Sequence, residues 1–95
     1  MILGFGSKET EQIFYQKYVQ GLHQNVQKIA LRKLIMIDEA NNVTDLRVPP
    51  ANHFEKLIGN LKGKYSIRIN EQYRIIFSVS NTNDFFDVEI IDYHK

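Results

Sequence analysis

The 95-residue chain contains no cysteine. That absence removes disulfides, thiolate metal ligands and cysteine nucleophiles together, and it favours a reducing compartment. Long apolar runs are missing too: no stretch approaches the ~18 residues a membrane-spanning helix needs. The opening segment MILGFGSKETEQ has no basic region and no extended apolar stretch, so it does not read as a signal peptide. These absences predict a cytoplasmic protein with no membrane contact. Repeats, low-complexity tracts and linkers are lacking as well, and a second core would need roughly 50 residues of its own. A single domain over 1–95 is therefore expected.

What is present is ordinary in amount and uneven in distribution. Apolar residues make up 43% and charged residues 24%, which excludes disordered and collagen-like classes. The formal charge is +1. Residues 47–74, however, carry Arg47, Lys56, Lys62, Lys64, Arg68 and Arg74 against Glu55 and Glu71, while residues 75–95 are net acidic. A basic middle third can attract polyanions through its local field even when the whole chain is near neutral.

Met1 to Phe5 reads as an opening strand. Ser7 can cap a helix whose first turn carries Glu9 and Glu11, where carboxylates complement the positive helix end. Ile13, Phe14, Tyr18 and Leu22 recur at helical spacing up to a break near Gly21. A second helix is expected over about 25–40, with Val26, Ile29, Ala30, Leu34 and Ile37 on one stripe and Asn41-Asn42 as a left-handed stop. Val48-Pro49-Pro50 forces an extended connection. The period then changes to two. Strands are expected over 53–58, over 65–70, from Tyr73 to Val79, and through Phe86, Val88 and Ile90, the last three on one face. Turns fall at Asn70-Glu71-Gln72 and Asn81 to Asp84. Two helices followed by a meander give an α+β fold whose sheet keeps one face open for a site.

The residues suited to chemistry lie in this second half. Asp92-Tyr93-His94 closes the last strand, and Arg74 opens the one before it. Histidine and carboxylate side chains move protons near neutral pH, and arginine holds phosphate bidentately and stabilises charge developing on it. Together these are parts for metal-free RNA cleavage, in which a 2′-hydroxyl attacks the adjacent phosphorus. Metal chemistry has no obvious ligands, because His23 and His53 lack partners at ligand spacing. Gly59-Asn60-Leu61-Lys62-Gly63-Lys64 lacks both the spacing and the Ser/Thr of a P-loop. Each residue also has a plainer reading: Arg74 as a cross-strand partner for Glu89, the tyrosines as core.

Taken whole, PPANHFEKLIGNLKGKYSIRINEQYRIIF followed by DVEIIDYH resembles the HigB-type toxins of the RelE/ParE superfamily, also called plasmid maintenance system killer proteins. The resemblance spans nearly the whole chain and includes Lys33 to Asp38 and the DLRVPP connection. It implies a RelE-like fold: an N-terminal strand and two helices packed on one face of a mostly antiparallel sheet of four to five strands. It implies a bacterial type II toxin that cleaves mRNA on the translating ribosome and needs no cofactor. The implied partners are the ribosome, its mRNA, and a HigA-type helix-turn-helix antitoxin through which alone the complex binds operator DNA. Arg74, Asp92, Tyr93 and His94 match positions tied to activity in the family. Many relatives have histidine where this chain has Glu55 and lysine where it has Ile58. Glu55 is read as a replacement base, and Lys56 or Lys62 as a replacement cation. Lys56, Lys62, Lys64, Arg68 and Arg47 are the expected RNA and ribosome contacts. Two alternatives share the scaffold: a ParE-like gyrase poison that cuts nothing, and a module that only holds the antitoxin.

Overall fold

The structure is a computed structural model and describes residues 1–93. His94, one of the expected site residues, lies outside the described residues.

Helix α1 spans Lys8–Phe14, capped by the Ser7 hydroxyl, which accepts from the Thr10 N–H at 3.2 Å. The helical spacing of Tyr18 and Leu22 had suggested a longer element. The helix instead stops after Phe14, and Gln16 takes a left-handed backbone at φ 63°. Gln27 explains the stop. Its side chain accepts from the Val19 N–H at 2.9 Å and donates to the Val19 and Leu22 carbonyls at 2.8 and 2.6 Å. One buried amide thus satisfies the backbone of the 17–23 loop in place of helical bonds.

Helix α2 spans Gln24–Glu39, and the stripe of Val26, Ala30, Leu34 and Ile37 is buried as its spacing predicts. Its end differs from the expected left-handed stop. Ala40 leaves the helix extended, and Asn42 caps a 3-10 turn at Val43–Arg47, where its Oδ1 accepts from the Thr44 and Asp45 N–H groups. Asparagine favours local side-chain bonding of this kind.

Strands β1 (Glu55–Lys56), β2 (Tyr65–Arg68), β3 (Tyr73–Val79) and β4 (Phe85–Asp92) form one antiparallel sheet in sequence order. The opening segment lies parallel beside β4 through bridges at Ile2–Phe85 and Phe5–Val88. The strand expected over 53–58 is reduced to two residues. Pro50–Asn52 makes a 3-10 turn, and His53 is left-handed at φ 44°, ψ 52°. β4 carries a bulge: Ile76 pairs with Glu89 and Ser78 with Phe86, so Phe77 faces both Asp87 and Val88. Asp87 sits at φ 52°. One extra residue shifts the alternation, so Phe85 and Val88 both point inward while Phe86, expected beside Val88 and Ile90, is partly exposed.

The helices cover one sheet face. Ile13, Ala30, Leu34 and Ile37 pack with Ile67, Ile75, Phe77, Phe85 and Val88 in one cluster. The opposite face, expected to be open, is partly closed: the 50–52 turn packs on β2, and Ser66 and Arg74 are buried there.

Candidate active site on the second sheet face

Strand alternation builds the site. Glu55 pairs with Ser66, and Arg68 pairs directly with Arg74, so all four side chains share the face away from the helices. The tight turn sets this register: the Asn70 side-chain oxygen accepts from the Gln72 and Tyr73 N–H groups at 2.8 Å each. The same turn secures the end of β4, because Tyr93 N–H donates to the Gln72 carbonyl at 2.7 Å and the Gln72 amide donates to Asp92 at 3.1 Å.

Arg74 is the centre of the arrangement. Its Nε donates to the Ser66 hydroxyl at 2.8 Å and its Nη2 to the His53 carbonyl at 2.6 Å. Its Cζ stands 5.4 Å from the centroid of the Tyr93 ring, a cation–π contact. Burial holds its pKa below the usual arginine value. Glu55 and Tyr93 oppose that shift, and Arg68 adds to it. An arginine remains charged under these conditions. Placing two guanidiniums directly opposite across a ladder is unfavourable by some tenths of a kcal/mol, up to about 1. An anion lying between them reverses that sign.

Two depressions meet at Tyr93. One, of about 260 Å³, is lined by His53, Arg68, Asn70, Glu71, Arg74 and Tyr93. The other, of about 240 Å³, is lined by Glu55, Lys56, Leu57, Ile58, Leu61 and Tyr93. By contrast, a hollow of about 290 Å³ between α1, the 19–22 loop and the sheet has Glu9 and Glu89 on its walls and, among the described residues, no cation. The two depressions at Tyr93, unlike this hollow, carry cations on their walls: Arg68 and Arg74 in one and Lys56 in the other.

The structure therefore gathers Arg74, Tyr93, Arg68, Glu55 and Lys56. Among the described residues, it does not bring Asp92, Lys62, Lys64 or Arg47 to the same place. Asp92 pairs with Tyr73, on the alternate face from Arg74, and lines neither depression. Lys64 lies near Ser78 and Asp87, at 3.3 and 3.9 Å, four residues along β3 from Arg74 and so roughly 13 Å away. Lys62 and Arg47 are exposed and line neither depression. Arg74 pairs with Ile91 across β3–β4, so the plainer reading as a partner for Glu89 falls away.

Three contributors went unread in the sequence. Ser66 fixes Arg74, which its position opposite Glu55 in the alternation could have revealed. His53, without partners at metal-ligand spacing, gives its carbonyl to Arg74. Lys33 and Asn52 form the third, a buried pair joined by a hydrogen bond from Nζ to Oδ1. The Asn52 amide also donates to the Leu46 carbonyl at 3.1 Å and the Val48 carbonyl at 3.4 Å, which locks the turn that presents His53. Burial, and then the neighbouring Arg32, lowers the pKa of Lys33. Among the described residues no group of three His, Asp or Glu side chains is placed to hold a metal ion, and no helix is long and apolar enough to cross a membrane.

This two-helix, four-strand arrangement is shared with solved toxin–antitoxin complexes. A crystal structure of the heterotetrameric YoeB–YefM complex from Staphylococcus aureus contains a chain that matches with a TM-score of 0.62 and 25% identity, covering 100% of this chain and 99% of that one. A second YoeB–YefM complex from the same species gives 0.58 and 24%, with the same coverage. The fold is RelE-like. The family model described as the RelE-like toxin of the type II toxin–antitoxin system HigB matches residues 4–94, and the chain belongs to that HigB-like toxin family. Toxin HigB-1 of Vibrio cholerae serotype O1 is 47% identical over 79 residues, covering 81% of this chain and 82% of that protein. The resemblance read from the sequence holds for family and fold.

Proposed function

We propose that this toxin is a ribosome-dependent endoribonuclease that cleaves mRNA and stops translation. The observation that carries the reading is the pair of facing arginines, Arg68 and Arg74, with Tyr93 beneath the second. Such a pair suits an oxyanion, and in an RNA substrate that oxyanion is a phosphate. Ser66 and His53 take up two of the five N–H donors of Arg74, and the rest serve the phosphate oxygens. In the reaction the 2′-hydroxyl attacks phosphorus, Arg74 stabilises the pentacovalent transition state, and ionisable side chains around the phosphate move the protons. Glu55 on β1 and His94 at the chain end are the carriers expected from the family resemblance. Asp92 acts at one remove: through Gln72 it holds the end of β4 so that Tyr93 stays under Arg74.

Lys56 lines the second depression and takes the RNA backbone beside Ile58. Lys62, Lys64 and Arg47 lie outside both depressions and serve as contacts to ribosomal RNA. A net charge of +1 gives little grip on free RNA, whose binding rests mainly on cation–phosphate pairs, so the ribosome supplies the substrate already held. Neutralisation falls to a HigA-type helix-turn-helix antitoxin, which alone carries the complex to operator DNA. The test is induction of the chain in bacteria with mapping of mRNA 5′ ends. Growth arrest with new 5′ ends inside translated regions, relieved by the antitoxin, is expected. Arrest with intact mRNA would refute the nuclease reading.

A further inference from the structure

His53 is built into the site more firmly than a surface histidine requires. A left-handed backbone at a residue other than glycine is uncommon and strained, and it persists where the surroundings over-determine it. Here they do. Asn52, immediately before it, is fully buried and bonded to Lys33 and to the Leu46 and Val48 carbonyls. His53 itself gives its carbonyl to Arg74 at 2.6 Å. The anchored turn presents the imidazole to the depression that holds both arginines, where Nε2 lies 3.5 Å from Nη1 of Arg68. A guanidinium only donates, so a hydrogen bond across this contact requires Nε2 to be the accepting nitrogen.

We infer that His53 is a catalytic residue of this site, its imidazole accepting the proton of the attacking 2′-hydroxyl. The inference rests on the nuclease reading above and deepens it. When a phosphate seats between Arg68 and Arg74, its charge draws the Arg68 guanidinium off the ring and frees the Nε2 lone pair. The 2′-oxygen then bonds to phosphorus while its proton passes to Nε2, and the bond from phosphorus to the 5′-oxygen breaks. The leaving oxygen takes a proton from water, and the resulting hydroxide is neutralised by the proton His53 releases. The products are a 2′,3′-cyclic phosphate and a 5′-hydroxyl. His53 thus takes the base's part that the family resemblance suggests for Glu55, whose charge instead supports that of Arg74. The charged and titratable groups facing the ring are Arg68 from β2, Arg74 from β3, Glu71 from the turn and Tyr93 from the end of β4.

The backbone role and the imidazole role separate cleanly, because glycine and asparagine both tolerate the left-handed conformation. His53→Gly and His53→Asn keep the carbonyl that holds Arg74 and remove the ring. Each variant and the wild type are assayed on mRNA-programmed ribosomes across pH. The expected result is a fall in kcat of about 10²–10⁴-fold with little change in KM. The shape of the pH–rate profile changes in His53→Asn, and added imidazole restores part of the activity of His53→Gly. Variants that cut within about threefold of wild type would overturn the inference, as would a loss of rate with an unaltered pH profile and no rescue. A wild-type chain that leaves the mRNA intact would overturn the nuclease reading and the inference with it.

Discussion

Replacing Asn52 by alanine should be among the most damaging single changes outside the apolar core. Asn52 is fully buried, accepts from the Lys33 ammonium, and donates to the Leu46 and Val48 carbonyls. Alanine leaves a buried cation without its acceptor, a loss of about 1.5–3 kcal/mol for a charged hydrogen bond. The two carbonyls lose a donor, at about 1 kcal/mol each for typical bonds. The sum is about 3.5–5 kcal/mol, a large fraction of the ~5–15 kcal/mol that stabilises a domain of this kind. Urea unfolding, followed by far-ultraviolet circular dichroism because the chain has no tryptophan, measures it directly. Asn52→Asp is the control: it keeps an acceptor for Lys33 and adds a favourable charge while losing the amide donor. Aspartate should therefore sit between wild type and alanine. An Asn52→Ala chain within 1 kcal/mol of wild type would show that the Lys33–Asn52 pair does not hold the turn.

The same lysine predicts a pH dependence. Its pKa is lowered in the folded chain by burial and by Arg32, so below the ordinary lysine value of about 10.4 the unfolded chain binds more protons than the folded one. Wild type should therefore gain stability relative to Lys33→Met as the pH rises from neutral toward 10, and a constant difference between the two would contradict this. Ser66→Ala removes the acceptor for Arg74 Nε, with a stability loss of about 1–3 kcal/mol for a buried donor left unpaired. It should lower mRNA cleavage as well, and full activity would mean that Ser66 does not orient the guanidinium. Phe77→Ala empties the centre of the core and should lose about 3–5 kcal/mol, read from the shift in urea midpoint.

The elements that are legible in the sequence are those where one physical signal dominates. The α2 stripe, the alternation in β2 and β3, the Asn70 turn and the Ser7 cap each follow from spacing or from one capping group. The misread elements are those where a distant side chain settles the matter. The 17–22 segment keeps helical spacing, yet Gln27, arriving from α2, satisfies its backbone. The face of Phe86 depends on a bulge at Asp87 that alternation cannot reveal. The site shows the same division. Arg74 and Tyr93 carry their chemistry on their residue type, and the basic run flags Arg68. Ser66 matters through what it holds, His53 through the anchored turn that presents it, and Asp92 falls on the alternate face, none of which is visible until the strands are paired.

The central claim is that Arg74 acts on an RNA phosphate, and end-group chemistry on cleaved mRNA tests it most directly. Purified wild-type chain and Arg74→Ala are incubated with mRNA-programmed ribosomes, and the fragment ends are identified. Losing a comparable transition-state donor removes roughly 3–4 kcal/mol, or about 10²–10³-fold in rate. Fragments with 5′-hydroxyl ends and 2′,3′-cyclic phosphates are expected from wild type, with a loss of that order in a folded, antitoxin-binding Arg74→Ala chain. Fragments bearing 5′-phosphates, or undiminished cutting by Arg74→Ala, would contradict it.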